Sequence, residues 1–195
     1  GLVTGKVELY DLRHTRRPIR NDILANGTRQ PVHSVRYLSS DNPERKRCGL
    51  LVGKIGCVER WREDGNVLSN LSTNTNDLRG KCTSIDTIVR DDRSLLCVAA
   101  MRESSTSNTS NAEAARCVLF RTPSSTCPSI ETDVVRTFMG HRNRTVLSRA
   151  TLFESDDVVH VAACDEMRKS AVLWHWDTSS RSSCASIHMQ HLEPH

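Results

Sequence analysis

The chain has 195 residues, of which 37% are hydrophobic and 26% charged, an ordinary composition for a globular domain with a substantial core. No apolar run approaches the roughly 18 to 20 residues needed to cross a bilayer, and no basic start precedes an apolar signal core. The formal net charge of +4 is too small a bias to indicate nucleic acid binding. We therefore expect neither a membrane nor a direct nucleic acid partner.

Eight cysteines would suggest disulfide pairing in a secreted chain. Several of them, however, fall inside apolar strand-like patterns, where a free cysteine behaves as a small buried hydrophobe: Cys57, Cys97, Cys117 and Cys164. We expect reduced thiols and a cytosolic or nuclear protein.

Residues 1–13 predict a hairpin, with a turn at residues 4–6 and alternating apolar and polar residues after it. A further strand is expected around residues 19–24, so residues 1–31 form a partial unit that the chain enters in the middle, as a fragment would. Four arginines cluster between these strands, Arg13, Arg16, Arg17 and Arg20. Two interpretations stay open, a solvated loop or a patch for the acidic surface of a partner.

The second and third units repeat the order of strand, loop, strand, turn and strand. Residues 32–81 hold the second unit, whose third strand ends at Trp61. Residues 82–140 hold the third unit, in which Ile85 lies in the first strand and Phe120 ends the third. Residues 104–111 carry almost no apolar side chain and predict a loop between strands.

The fourth unit, residues 141–183, shows the fullest pattern. An apolar strand ends at Gly140 and His141, a later strand ends in small residues and Asp165, and the next ends at Trp174. This is the order of a WD-repeat propeller blade, in which the Gly-His turn, the aspartate and the tryptophan support one another through hydrogen bonds. We predict structural roles for these residues.

Two tryptophans, Trp174 and Trp176, compete for the strand-end position of the fourth unit. The other units end their strands at an aromatic residue with an apolar residue three positions earlier, namely at Tyr10, Trp61 and Phe120. Trp174 fits this register, whereas Trp176 would put His175 where Leu9 and Leu119 stand in other units. Successive aromatics are about 50 to 60 residues apart, longer than the roughly 40 to 45 of common WD repeats. The excess lies in loops.

The predicted fold is therefore all-β, a partial WD-repeat β-propeller with about three and a half blades of a ring of about seven. Residues 184–195 are expected to be a tail or the start of a next blade. Because its end blades would expose unpaired strand edges, such a fragment is expected to be poorly stable alone.

No catalytic constellation is recognisable: the chain has no Gly-x-Ser-x-Gly, no phosphate-binding glycine loop and no Cys-x-x-Cys. One cluster has metal-like spacing, Cys184, His188, His191 and His195, which would share one face of a helix. In a strand these residues would not share a face. We expect them to bind no zinc, and we predict neither a catalytic nor a metal site.

The segment from Tyr10 to Arg13 is similar to the Trp-Asp-x-Arg ending by which some propellers dock on the cullin-4 adaptor. This is one match only, and it has tyrosine in place of tryptophan. The alternative is that Asp11 and Arg13 cap a strand and face solvent. Together with Arg16 and Arg17, these two residues are the candidate partner-binding residues.

Several stretches together resemble the C-terminal propeller of the RING finger and WD repeat family of E3 ubiquitin ligases. They are residues 5–13, 49–53, 135–140 and 150–155, Cys82 with Ile85 and Asp86, and residues 165–166 with 170–174. The most specific piece is Asp-Glu, three residues, then Ser-Ala-Val-Leu-Trp, because this enlarged turn departs from ordinary WD repeats. It also favours Trp174 over Trp176.

The resemblance implies a nuclear ligase of DNA repair and replication stress, in the Fanconi anaemia pathway of interstrand cross-link repair. Its propeller would recruit the single-stranded-DNA-binding protein RPA for ubiquitylation. Its RING, with zinc and the E2 partner, would lie outside this chain, since the eight cysteines here lack RING spacing. Two alternatives stay open, a generic WD-repeat scaffold and a substrate receptor of a cullin-4 ligase.

Overall fold

The structure is a computed structural model. It describes residues 6–24, 30–38, 49–62, 67–70, 78, 80–90, 94–102, 114–123, 132–142, 149–156, 158–177 and 187–190. Within these ranges the regular structure is β-strand without an α-helix, which confirms the predicted all-β class.

The strands in chain order are β1 Lys6–Leu9, β2 Arg20–Leu24, β3 Val32–Leu38, β4 Gly49–Lys54, β5 Val58–Arg62, β6 Val67–Asn70, β7 Lys81–Val89, β8 Ser94–Arg102, β9 Arg116–Pro123, β10 Asp133–Phe138, β11 Ala150–Ser155, β12 Val158–Asp165, β13 Ser170–Asp177 and β14 Ile187–Gln190. They form one two-stranded sheet and three four-stranded sheets. We name them sheet I (β1–β2), sheet II (β3–β6), sheet III (β7–β10) and sheet IV (β11–β14).

Every sheet is an antiparallel meander in which strands that follow one another in the chain are neighbours. Such local pairing is the blade topology that the sequence predicts. One boundary differs from the prediction. Residues 187–190 pair with β13 as the fourth strand of sheet IV, so they belong neither to a tail nor to a next blade.

The burial of the strands shows how the sheets stack. In β8, the first eight residues are all buried, as expected for a central strand whose sheet is covered on both faces. In β12, buried and half-buried residues alternate, which indicates a sheet covered on one face. Sheet III therefore lies between sheets II and IV.

Three apolar clusters fill the spaces between successive sheets, and each contains one aromatic residue from a third strand. Trp61 joins Val7 between sheets I and II, Phe120 faces sheet II from sheet III, and Trp174 faces sheet III from sheet IV. Each of these aromatics is at most 2% exposed. This face-to-face stacking of meander sheets is the packing of a propeller.

The first strand of sheet III, β7, contacts the first strands of both sheet II and sheet IV, so the three strands lie where the sheets converge. Two serines connect them. The Ser34 hydroxyl accepts a hydrogen bond from the Ile85 backbone N–H at 3.0 Å, and the Ser84 hydroxyl accepts one from the Ala150 N–H at 2.9 Å. Ser34 of sheet II bonds to sheet III, and Ser84 of sheet III bonds to sheet IV. The same contact is therefore repeated between sheets II and III and between sheets III and IV.

Two residues after Ser84, Asp86 connects three sheets. Its Oδ1 pairs with Arg36 of sheet II at 2.9 Å, while its Oδ2 accepts hydrogen bonds from the Thr151 hydroxyl and the Leu152 N–H of sheet IV at 2.9 and 3.0 Å. Arg36 also donates through Nε to the Ile85 carbonyl at 2.7 Å. These contacts set the relative position of the convergent strands.

Close packing of sheet II on sheet III requires glycine at position 53. A Cβ at Gly53 would lie 2.8 Å from the Cys82 sulfur and 3.2 Å from Ile85 Cδ1. We predict that Gly53→Ala lowers the free energy of unfolding by about 1 to 3 kcal/mol, measured by denaturant titration. Gly56→Ala is the matched control, because its Cβ would meet only the flexible end of Gln30. Equal effects of the two changes would contradict the proposed close contact.

Candidate protein-interaction surface

A tight turn follows β1 and is held together by its own residues. The His14 N–H donates to the Asp11 carbonyl at 2.9 Å. The Asp11 carboxylate accepts three hydrogen bonds from Arg13: from the backbone N–H at 2.9 Å, from Nε at 3.0 Å and from Nη2 at 2.7 Å. These bonds lower the pKa of Asp11 from its ordinary value, chiefly through the Arg13 guanidinium. The turn therefore has a defined shape without any partner.

This arrangement bears on the similarity to the cullin-4 docking ending. Both carboxylate oxygens of Asp11 accept hydrogen bonds from Arg13, so the pair stabilises its own turn. Asp11 thus holds the turn in place, and the exposed groups around it are what a partner would meet. The docking and the strand-capping interpretations both stay open.

The turn presents apolar side chains to solvent. Leu12, at its tip, is 93% exposed, and Ile19 is 63% exposed in the segment that leads to β2. Tyr10 is 41% exposed, and its hydroxyl donates to Glu8 at 2.7 Å.

An open cleft of about 480 Å³ follows the turn and is lined by residues 13 to 17. Arg16 and Arg17 are exposed on it, and the described part of the chain offers neither of them an ion pair. Of the candidate partner-binding residues, Arg13, Arg16 and Arg17 line this cleft, and Asp11 holds the turn before it. That they bind a partner stays a prediction.

The predicted structural residues of the fourth unit also come together. His141 is buried, its ring lies edge-on to Trp174 at 5.3 Å, and its Nε2 is 3.8 Å from the Cys117 sulfur. Gly140 has a φ of 100°, a conformation that favours glycine. Asp165 is buried at the start of the enlarged turn that leads to sheet IV's third strand, where its carboxylate accepts hydrogen bonds from the backbone N–H groups of Met167 and Arg168.

Among the described residues, the expected hydrogen-bonded network of the Gly-His turn, the aspartate and the tryptophan does not form. The His141 Nδ1, the Ser170 hydroxyl and the Trp174 Nε1 are buried there without a hydrogen-bond partner. Trp174 is instead held by ring packing against His141 and by stacking on Phe138, whose ring centroid is 5.4 Å away. The unit is therefore joined by packing more than by polar bonds.

Burial lowers the pKa of His141, an effect that the nearby Asp165 partly opposes. When the pH falls below 6.5, the ordinary pKa of histidine, His141 becomes protonated in the unfolded chain. In the folded chain it becomes protonated only at a lower pH. We predict that stability falls as the pH drops from 6.5 toward the folded pKa, and that His141→Gln removes this part of the pH dependence. Denaturant titrations across this range test it, with His14→Gln at an exposed site as the control. Parallel pH profiles for wild type and His141→Gln would contradict it.

The strand aromatics do not all play the predicted part. Trp61, Phe120 and Trp174 are buried inside their strands, which continue past each ring to Arg62, Pro123 and Asp177. Tyr10 differs, because it follows the end of β1 and its ring faces solvent. Tyr10, which we expected to have a structural role, therefore belongs to the exposed turn region.

Two polar arrangements were missed from the sequence. Lys54 and Glu59 form an ion pair across the β4–β5 hairpin, with the lysine 0% and the glutamate 2% exposed. The contacts of Asp86 with sheets II and IV were missed as well. A signal exists for the second, since Ser34-Val35-Arg36 and Ser84-Ile85-Asp86 repeat the same pattern in two first strands.

The described cysteines are free thiols, four of them in strands. Burial raises the pKa of Cys82 and of Cys117 to about 12, and it raises the pKa of Cys97 further. These buried thiols stay protonated near neutral pH, so they are not nucleophiles.

The described ranges contain no group of three or more residues placed to hold a metal ion. Cys184, His191 and His195 lie outside the described residues, and His188 pairs with Leu173 within sheet IV. That these residues hold no zinc stays a prediction. Protein purified with chelator and dialysed against zinc should contain less than stoichiometric metal, whereas one zinc per chain that is lost in His188→Ala and His191→Ala would contradict it.

No segment that the structure describes is a helix of the length and apolarity that a membrane crossing needs. The family model described as the E3 ubiquitin-protein ligase RFWD3 WD40 domain matches residues 1–192. No curated protein matches the chain.

Proposed function

The chain belongs to the family of RFWD3 WD40 domains, which are parts of E3 ubiquitin-protein ligases, and from this premise we propose that it recruits substrates for ubiquitylation. We propose RPA as the substrate, and a nuclear role in DNA repair and replication stress. The observation that carries the proposal is the match of the family model to residues 1–192.

The architecture supports a binding role. The first strands of sheets II, III and IV are joined by hydrogen bonds and an ion pair of Ser34, Ser84 and Asp86. The exposed turn and cleft at residues 11–17 connect the two strands of sheet I, which packs on sheet II, and are open to a partner. A domain of this kind raises the rate of ubiquitin transfer by holding the substrate near the E2, so that transfer behaves as an intramolecular step. The zinc and the E2 contact are expected in a RING outside this chain.

The proposal is tested by capture of purified RPA on the full-length ligase. We expect the intact ligase to retain RPA, and a ligase whose propeller is removed to lose it. Self-ubiquitylation, which needs only the RING and the E2, should persist in both and serves as the control. Equal retention of RPA without the propeller would contradict the proposed function and favour a scaffold role.

A further inference from the structure

We propose that the Asp11–His14 turn and the cleft after it bind an acidic segment of a partner protein that carries an apolar side chain. This inference rests on the proposed substrate-recruiting function and adds the chemistry of the partner. It concerns Leu12, Arg16 and Arg17 as contact residues, with Asp11 as the residue that holds the turn through its bonds to Arg13.

The charges of the cleft favour an anionic ligand. Arg16 and Arg17 line it without an ion-pair partner among the described residues, and Arg13 keeps one terminal nitrogen beyond its two bonds to Asp11. Guanidinium groups bind carboxylates through paired hydrogen bonds, and unpaired arginines on an open cleft can do so without first breaking an internal bridge.

The apolar requirement comes from Leu12. A leucine that is 93% exposed at the tip of a fixed turn, with Ile19 and Tyr10 also exposed nearby, offers apolar area that a partner would bury. Because the Asp11–Arg13 bonds already fix the turn, little backbone freedom is lost when a partner binds it.

The same surface fits nucleic acid less well. The basic cluster is short, with three arginines within residues 13 to 17, and the acidic residues Glu8 and Asp11 precede it closely in the chain. A strand of nucleic acid is usually bound along a longer basic groove with aromatic rings that stack on successive bases. The acidic segment of a protein needs only one short run of carboxylates.

The test uses the full-length protein and a fluorescein-labelled peptide of glutamates around one central leucine, with binding followed by anisotropy at physiological salt. We expect Arg16→Glu combined with Arg17→Glu to weaken binding about tenfold or more, since it reverses two charges at the contact. Leu12→Ser should weaken binding severalfold, and it should abolish the preference for this peptide over one with serine in place of leucine.

The matched control reverses two other exposed arginines, Arg136→Glu in β10 with Arg149→Glu directly before β11. This control should bind the peptide as the wild type does. Equal weakening in the control would show a general charge effect and overturn the proposal. Wild-type affinity in the Arg16→Glu and Arg17→Glu variant would overturn it too, as would displacement of the peptide by single-stranded oligothymidine at lower concentration than by unlabelled peptide.

Capture of RPA separates this inference from the proposed function. If the peptide results fail while the propeller still captures RPA, the docking site is wrong and the function stands. If the peptide results hold while the intact ligase captures no RPA, the acidic-segment site stands and RPA as its partner is wrong.

Discussion

Ile85→Lys should lower the free energy of unfolding by about 3 to 5 kcal/mol, because it removes a buried aliphatic side chain and places an ammonium group among apolar neighbours. Ile85 is 1% exposed in the first strand of sheet III, within the apolar cluster between sheets II and III. Its backbone N–H and carbonyl also bond to Ser34 and Arg36 of sheet II. A lysine there would disturb packing and the contact between sheets together.

The measurement is a denaturant titration of the full-length protein, followed by a probe of its β-structure. Val89→Lys is the matched control, since Val89 lies in the same strand and is 57% exposed. We expect the control to change stability by less than about 0.5 kcal/mol. Capture of RPA should fall with the stability of Ile85→Lys. Unchanged unfolding would contradict the core position, and lost capture without lost stability would make Ile85 a contact residue instead.

Trp174→Ala should cost about 3 to 5 kcal/mol, the range for removal of a large buried aromatic ring. Trp174 is 1% exposed, and its ring packs against Phe138 and His141 in the cluster between sheets III and IV. The cavity left behind would lie between sheets III and IV, whose strands are held in place by backbone hydrogen bonds. Neighbouring side chains should therefore fill the cavity only in part.

Trp176→Ala is the comparison that decides between the two tryptophans. Trp176 is half-buried at the border of the same cluster, so its removal should cost clearly less. Thermal melts of the two variants beside the wild type provide the measurement. A larger loss of stability for Trp176→Ala would assign the structural role to Trp176.

The sequence predicted the features that depend on local pattern. The apolar patterns identified the four strands of sheet III and the first three strands of sheet IV, and because meander strands pair with their chain neighbours, the order of these strands followed. Register relative to the other units selected Trp174, and the structure buries this residue.

Features that depend on contacts between distant segments were not predicted. Asp86 meets Arg36 and Thr151 across 50 and 65 positions of the chain only because sheets II, III and IV converge. Nothing in the local pattern marks Lys54 and Glu59 as buried, since lysine and glutamate are almost never fully buried unless paired.

Strand β14 was missed for a similar reason. Residues 187–190 carry two apolar residues between polar ones, a pattern too short to indicate a strand, and the strand forms through its pairing with β13.

Tyr10 was expected to have a structural role, but the structure shows it exposed. It shares the spacing of the buried aromatics, but the Asp11–His14 turn begins directly after it, so the ring is left facing solvent.

The most direct test of the account is the rate of RPA ubiquitylation by the full-length ligase, measured beside self-ubiquitylation in the same reaction. For Ile85→Lys we predict that RPA ubiquitylation falls at least about tenfold while self-ubiquitylation is unchanged, because in the proposed function the propeller recruits the substrate and a RING outside this chain supports the transfer. Val89→Lys should leave both rates as in the wild type. RPA ubiquitylation that continues at the wild-type rate in a ligase with an unfolded propeller would contradict the claim that this domain recruits the substrate.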